Sequence, residues 1–174
     1  AALSGKKVTL TKIKPKIIKT EIKLLKKIGV KIRTEKNKII IFESGKLNSI
    51  NIKTEPYPGF PTDLQAQIMV LMLTASGTSK ITENIFENRF MHVPELRRMG
   101  AKIITKNNVA LISGSTNLSG AEVMATDLRA SVSLVLAALI AENKTIINRI
   151  YHLDRGYENL EKKLKKCKAS ISRV

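Results

Sequence analysis

Three arginines lie in or beside loops that precede predicted helices: Arg89, Arg129 and Arg155. A guanidinium next to a helix N-terminus suits a phosphate or a carboxylate, because its planar fork donates two hydrogen bonds and the open backbone N–H groups donate more. The alternative is that each arginine forms a salt bridge with an acidic residue close in sequence: Glu87, Asp127 or Asp154. The residue types therefore indicate an anion-binding face, and the sequence leaves local ion pairing open.

Two aspartates stand in similar surroundings, Asp63 within Pro-Thr-Asp-Leu-Gln-Ala-Gln and Asp127 within Ala-Thr-Asp-Leu-Arg-Ala-Ser. Thr62 and Thr126 are good helix N-cap residues, and the helix dipole favours an aspartate in the first turn. Helix capping would explain both aspartates without any chemistry. The functional alternative is that Asp63 accepts a hydrogen bond or a proton from a substrate hydroxyl, with a nearby arginine keeping its carboxylate charged.

The other reactive residue types form no recognisable site. His92 and His152 have no cysteine or histidine partner at metal-ligand spacing, so no metal is expected. Cys167 aligns with Met99 in an internal repeat, which favours a packing role over a nucleophilic one. The glycine patterns of phosphate loops and dinucleotide folds are absent from the sequence, so no cofactor is predicted.

A net charge of +17 and a pI near 10.1 raise the question of nucleic-acid binding. Lysine outnumbers arginine 23 to 8 and is scattered along the chain, while aromatic residues make up only 4% and tryptophan is absent. Base-stacking surfaces are therefore scarce, and solvated lysine faces with a preference for anionic ligands explain the charge better than nucleic-acid binding. The single cysteine excludes a disulfide framework.

No segment is predicted to enter a membrane or to direct secretion. The first residues lack the basic-then-apolar pattern of a signal peptide. The longest apolar run, residues 134–141, is far shorter than the roughly 20 residues that a membrane helix needs. We therefore expect a soluble, cytoplasmic chain with no membrane partner.

The candidate residues are carried by an internal repeat. Residues 96–103 match residues 24–32 closely, and Gly29 and Gly100 each end a predicted helix and precede a strand. A repeat of this length is a supersecondary unit that buries its core against its neighbours. The chain divides into a partial, a complete and a final unit: 1–50, 51–112 and 113–174. The fold class is therefore α/β, built from repeated strand–helix units.

Two predicted helices are apolar nearly all round and should be buried: residues 63–75 and 127–141. The proline-rich segment 55–61 holds the chain extended before the first of these helices and so fixes where Asp63 points. Further strands are predicted at 118–124 and 169–173.

Four strings carry more information than periodicity: 58–67 (Pro-Gly-Phe-Pro-Thr-Asp-Leu-Gln-Ala-Gln), 86–96 (Phe-Glu-Asn-Arg-Phe-Met-His-Val-Pro-Glu-Leu), 125–130 (Ala-Thr-Asp-Leu-Arg-Ala) and 151–158 (Tyr-His-Leu-Asp-Arg-Gly-Tyr-Glu). In this order they closely resemble the family of UDP-N-acetylglucosamine 1-carboxyvinyltransferases, the enolpyruvyl transferases that open peptidoglycan synthesis. The resemblance runs from about Val8 to the C-terminus. It separates the chain from the sister family that acts on phosphoshikimate, which shares the repeat but lacks these strings.

The resemblance implies a domain of three inside-out α/β repeats, an α/β barrel that is incomplete here, and a second domain that closes on the substrates. It implies transfer of the enolpyruvyl group from phosphoenolpyruvate to the 3-hydroxyl of UDP-N-acetylglucosamine, with release of phosphate through a tetrahedral adduct. It implies no cofactor and no metal.

By the same resemblance, roles can be assigned to individual residues. Asp63 would contact the reacting hydroxyl and is the candidate base, and Ile85, with Glu87 nearby, would contact the uridine diphospho-sugar. The phosphoenolpyruvate anion would be bound by Arg89 and Arg155. The remaining two residues would support the reacting centre: Asp127 and Arg129.

This chain resembles only the C-terminal part of the family, so the front domain is absent from it. That domain would carry the mobile loop with the catalytic Cys or Asp general acid, and Cys167 cannot replace it because it aligns with a helix end. Lys168 also stands where the family has glycine after its last helix. The missing repeat should leave an exposed flank, so we expect a separately encoded front domain or self-association.

Three interpretations of the chain remain open at this stage. It is the C-terminal part of the transferase and works with a separate front half, or it is a truncated remnant that keeps the fold without turnover. The third interpretation is a basic module for nucleic acid or anionic surfaces, whose binding would fall steeply with salt.

Overall fold

In the computed structural model, which describes residues 1–173, three sheets and six α-helices follow one another along the chain. The first part contains β1 (Lys7–Thr11), α1 (Lys19–Ile28), β2 (Ile32–Glu35) and β3 (Lys38–Phe42). The middle part contains β4 (Asn51–Lys53), α2 (Gln65–Thr74), β5 (Thr78–Thr82), α3 (Val93–Arg98), β6 (Ile103–Lys106) and β7 (Val109–Ser113). The last part contains β8 (Glu122–Met124), α4 (Leu128–Ala138), β9 (Ile146–Asn148), α5 (Tyr151–Asp154) and α6 (Leu160–Lys166).

The strand pairing repeats along the chain. The middle sheet has the order β4-β5-β7-β6, in which β4 and β5 are parallel and the other two pairs are antiparallel. The first sheet, β1-β3-β2, repeats the antiparallel part of this pattern, and the pair β8-β9 repeats the parallel part. This pairing agrees with one complete unit between two partial units, although the unit boundaries at 50 and 112 stay predictions.

Two buried helices, α2 and α4, pack against each other, and α2 also contacts β5 and β7. Helix α2 is apolar nearly all round from Ile68 to Leu73, and Met69, Val70, Met72 and Leu73 are completely buried. A helix of this kind has no face to offer to water and is stable only in the interior. The predicted burial of both helices is therefore confirmed, with helices inside and sheets outside.

Several local expectations are also confirmed or corrected. Gly29 and Gly100 adopt φ angles of 106° and 92° just after α1 and α3, a left-handed conformation that glycine takes without a steric penalty. The expected strand at 169–173 is wrong, because no other strand of residues 1–173 pairs with it. The strand expected at 118–124 is confined to Glu122–Met124. Within residues 1–173, no helix is long and apolar enough to cross a membrane.

His92, the residue before α3, is a buried titratable group with only 2% of its surface exposed. Burial lowers the pKa of His92 from its usual 6.5 to about 4, while the Asp127 carboxylate and the Arg89 backbone oppose this shift. Its Nε2 atom has no hydrogen-bond partner among residues 1–173. A neutral imidazole therefore lies close to two segments that carry candidate residues, those of Arg89 and Asp127.

The loop after β7 passes so close to the end of α2 that only glycine fits at position 114. Ser115 N donates to Ala75 O over 2.7 Å, and a Cβ on Gly114 would overlap the same Ala75 oxygen. Gly114→Ala should therefore lower the free energy of unfolding by about 3 kcal/mol, as expected for an overpacked core. Gly45→Ala is the matched control, because a Cβ there would meet no atom within 4 Å. Equal thermal unfolding curves for the two variants would contradict this account of the loop.

The pKa of His92 makes a prediction about stability and pH. The unfolded chain takes up a proton on this imidazole below pH 6.5, whereas the folded chain resists it until about pH 4. The free energy of unfolding should therefore fall by about 1.4 kcal/mol per pH unit through this one group as the pH drops from 6.5 to 4. Urea titrations at several pH values should show a shallower fall for His92→Gln. Parallel pH profiles for the two proteins would show that His92 is not held neutral.

Candidate active site

Every candidate residue follows the C-terminal end of a strand in one of the two parallel pairs. Asp63 lies between β4 and α2, and Arg89 lies between β5 and α3. Asp127 ends the connection from β8 to α4, and Arg155 follows α5 after β9. In α/β sheets, the C-terminal ends of parallel strands are where loops meet and bind ligands. The repeat therefore brings these loops to corresponding corners of the fold.

Asp63 and Arg129, 66 residues apart in the chain, form an ion pair. Arg129 donates to Asp63 Oδ1 from Nε over 2.6 Å and from Nη2 over 2.5 Å. The Asp63 side chain is 62% exposed and the Arg129 side chain 35%, so water and ligands reach both groups. This contact joins the start of α2 to the start of α4. The sequence had left open a local salt bridge from Arg129 to Asp127, and that alternative is wrong.

Asp127 is the N-cap of α4. Its Oδ1 accepts from the backbone N–H groups of Arg129 over 2.7 Å and of Ala130 over 3.0 Å. The sequence predicted the cap at Thr126, one residue before its actual position, and therefore placed Asp127 inside the first turn. The cap holds Arg129 at the beginning of the helix, where its side chain can reach across to the neighbouring unit.

Asp63 has no capping role. It lies in a 3-10 turn, Thr62–Leu64, and neither this turn nor α2 has a side-chain cap. The expected cap from Thr62 is wrong, because its hydroxyl donates to Glu83 instead. The capping role is therefore wrong, but the expected first-turn position of Asp63 is confirmed, and its largely exposed carboxylate is paired with Arg129.

Arg89 lies on an exposed loop and stacks on Phe86, with its guanidinium carbon 4.5 Å from the ring centroid. Within residues 1–173 it forms no ion pair with Glu87, so the local alternative is wrong here as well. The loop borders an open depression of about 530 Å³ that Glu83 and Thr105 also line. Stacking on an aromatic face holds the guanidinium without using its five N–H donors, which remain available for an anion.

Arg155 also lacks an ion pair within the described residues, because its neighbour Asp154 is bound by Arg173 over 2.6 Å. The next residue, Gly156, packs on the side chain of Leu128 at the start of α4; a Cβ there would lie 3.0 Å from Leu128 Cδ1. The backbone at Arg155 therefore lies close to the start of α4, where Asp127 and Arg129 are located. The alternative of a local ion pair with Asp154 is wrong.

Sequence reasoning missed Glu83, a buried carboxylate between the Asp63 and Arg89 loops. Only 3% of this residue is exposed, and it accepts hydrogen bonds from Thr54, Thr62 and the backbone N–H groups that follow β5. The signal in the sequence was the two-residue period of β5, which places Glu83 on the same face as Ser79 and Ile81, the face that the structure buries. Residues 1–173 contain no group of three His, Cys, Asp or Glu side chains that could hold a metal ion.

Comparison with known proteins places this geometry in a family. The model of the family EPSP synthase (3-phosphoshikimate 1-carboxyvinyltransferase) matches residues 1–164. Two UDP-N-acetylglucosamine 1-carboxyvinyltransferases, from Pelagibacter ubique (strain HTCC1062) and Rickettsia prowazekii (strain Madrid E), are 63% and 55% identical to the chain over 174 residues. Each match covers the whole chain and 42% of the relative. The chain thus spans about two-fifths of the length of these relatives.

Solved structures agree with this result. The enolpyruvyl transferase NikO from Streptomyces tendae superposes with a TM-score of 0.88 at 28% identity, over 98% of this chain and 41% of that one. EPSP synthase from Acinetobacter baumannii superposes with a TM-score of 0.61 at 14% identity, over 84% of this chain and 36% of that one, a likeness of fold alone. The predicted fold class, a partial α/β barrel of the enolpyruvyl transferase type, is confirmed. The chain belongs to the enolpyruvyl transferase family that the EPSP synthase model describes, and its relatives named above are UDP-N-acetylglucosamine 1-carboxyvinyltransferases.

Proposed function

We propose that this chain forms part of the active site of a UDP-N-acetylglucosamine 1-carboxyvinyltransferase. In that reaction the sugar 3-hydroxyl adds to C2 of phosphoenolpyruvate while a proton adds to C3. Loss of the C3 proton and cleavage of the C2–O bond then release phosphate and leave the enolpyruvyl ether. The observation that carries the proposal is the exposed pair of Asp63 and Arg129, which joins the starts of two buried helices. The names of the relatives support the same reaction.

The chemistry of the side chains supports a division of roles. Asp63 accepts the proton of the reacting hydroxyl, and Arg129 orients this carboxylate and holds negative charge beside it. Arg89 and Arg155 bind the phosphate and carboxylate groups of phosphoenolpyruvate, since guanidinium forks match both groups. Asp127 keeps Arg129 at the helix start. Ile85 and Glu87, on the loop that also carries Arg89, face the sugar nucleotide in this proposal.

The rest of the active site lies outside this chain. A general acid must protonate C3 of phosphoenolpyruvate, and within residues 1–173 the single cysteine, Cys167, is exposed just after α6 and lies in none of the candidate loops. We therefore propose that the chain acts in the cytoplasm together with a front domain, either as part of one longer protein or as a separate subunit. Self-association is the other way to cover the flank of the incomplete barrel.

A remnant that binds the sugar nucleotide without turnover is the second candidate. It would keep the exposed Asp63–Arg129 pair for binding but would lack the groups that complete turnover. A basic module for polyanions is the third candidate, supported only by the net charge of +17. Binding that falls steeply with salt and ignores UDP-N-acetylglucosamine would favour this last candidate.

The direct test measures phosphate release from phosphoenolpyruvate in the presence of UDP-N-acetylglucosamine. The chain is assayed alone and then mixed with a separately produced front domain of the family. Activity only in the mixture is the expected result, because each half supplies groups that the other lacks. A folded mixture that releases no phosphate but binds the sugar nucleotide would favour the remnant.

Removal of Arg89 should abolish most of the activity. In an active enzyme that contains this segment, Arg89→Ala should lower kcat/KM by a factor of about 100 to 1,000, because the charge that stabilises the transferred anion is lost. The matched control is Arg33→Ala, which removes the same charge from an exposed position on β2. If both variants keep full kcat/KM in steady-state kinetics, Arg89 does not bind the anion.

Asp63→Asn should separate the catalytic role of Asp63 from a structural one. The side chain caps no helix and is largely exposed, so the free energy of unfolding should change by less than about 1 kcal/mol. Turnover should fall by a factor of about 100 or more, because an amide cannot accept the hydroxyl proton. Thermal unfolding and phosphate release are measured on the same sample. A large loss of stability with normal turnover per folded molecule would reverse the assignment.

A further inference from the structure

We propose that Glu83 is a positioning residue that fixes the turn carrying Asp63 relative to the loop carrying Ile85. It would thereby set the distance between the group that accepts the hydroxyl proton and the loop that contacts the sugar nucleotide. The inference rests on the roles proposed for Asp63 and Ile85, and it adds a residue to which neither the sequence patterns nor the comparisons assign a role.

The two carboxylate oxygens of Glu83 hold different segments. Oε2 accepts from the Thr62 hydroxyl over 2.8 Å, and Thr62 is the neighbour of Asp63. Oε1 accepts from the backbone N–H groups of Ile85 over 2.9 Å and Phe86 over 3.2 Å. One carboxylate therefore joins both loops. Neither loop can move by itself without breaking a charged hydrogen bond.

Thr54 completes the network from the end of β4. Its hydroxyl donates to Glu83 Oε1 over 2.8 Å and accepts from the Asn84 N–H over 2.9 Å. Both Thr54 and Glu83 are almost fully shielded from water, at 0% and 3% exposure. Hydrogen bonds of this kind are stronger away from water, and an unfilled acceptor there is costly. The loops are therefore held in one arrangement rather than in several.

The equivalent corner of the last unit is built without this network, so the repeat itself does not require it. Thr54 N donates to Thr82 O over 2.9 Å, and in the parallel pair β8-β9 Ala125 N donates to Asn148 O over 3.0 Å. This correspondence places Ala125 at the position of Thr54 and Arg149 at the position of Glu83. Ala125 has no hydroxyl and Arg149 turns outward.

At that second corner, the Arg149 guanidinium donates to the Tyr151 hydroxyl over 2.7 Å on the exposed surface. This corner is thus built with no buried carboxylate, and Arg149 adopts a left-handed conformation (φ 57°) that Glu83 does not. Burying the Glu83 carboxylate costs free energy, and the last unit does without such a group. The alignment of the two loops explains Glu83 better than a requirement of the fold does.

The first test measures the positioning itself, without any assay of activity. Glu83→Ala removes both carboxylate oxygens, so the Ile85 and Phe86 N–H groups and the Thr62 hydroxyl lose the acceptor that holds them. Hydrogen exchange should show protection of the Ile85 and Phe86 amides reduced at least tenfold, while the amides of the β5-β7 ladder keep theirs. Unchanged protection at both loop amides in a folded variant would overturn the proposal, whatever the protein catalyses.

The second test uses an active enzyme that contains this segment. Thr62→Val cuts only the bond from Glu83 towards Asp63, and Thr62→Ser restores the hydroxyl. We expect Thr62→Val to lower kcat about tenfold with Thr62→Ser near the parent value, and to have no further effect in the Asp63→Asn background. Equal effects of Thr62→Val in both backgrounds would overturn the proposal, since Thr62 would then not act through Asp63. If Asp63→Asn alone is fully active, the proposed function of Asp63 fails, and the exchange experiment still decides the role of Glu83.

Discussion

The structure depends on two helices that are too apolar to face water, α2 and α4. Each must be covered on all sides, and they achieve part of this by packing against each other. The sheets take the outer positions, and the parallel strands leading into the two helices end at corresponding corners. The candidate residues are gathered by this packing, because both helices begin where those strands have just ended.

Where these strands end, the charged candidate side chains are exposed, and other titratable side chains next to them are buried. Asp63, Arg89 and Arg129 are open to solvent and can meet a ligand, whereas Glu83 and His92 lie beneath them and are almost fully shielded. The exposed groups are charged, whereas Glu83 is held by hydrogen bonds and burial lowers the pKa of His92 so that its imidazole is neutral. A rigid layer below a reactive layer is what keeps an active site within the narrow geometry that catalysis requires.

The large positive charge acquires a specific meaning in this setting. Both proposed substrates are anions, and a chain with a net charge of +17 attracts anions over distances of about a Debye length, roughly 8 Å at physiological salt. Arg89, Arg129 and Arg155 then provide specific positions at which such an anion can bind. Within residues 1–173, none of the three arginines pairs with the acidic residue close to it in sequence. Asp127 caps α4 and Asp154 binds Arg173, while Arg129 pairs with the distant Asp63.

The sequence by itself determined the elements, the repeat and the left-handed glycines after α1 and α3, because helical spacing, strand alternation and glycine's lack of a Cβ are local properties. Its four strings also identified the family, and with the family came the candidate loops. The tertiary structure decided which groups meet. The Thr62 hydroxyl donates to Glu83 instead of capping its own helix, and Arg129 pairs with Asp63 instead of Asp127. Such choices depend on which segments the core brings together, and hydrogen-bonding partners distant in sequence leave no trace in periodicity.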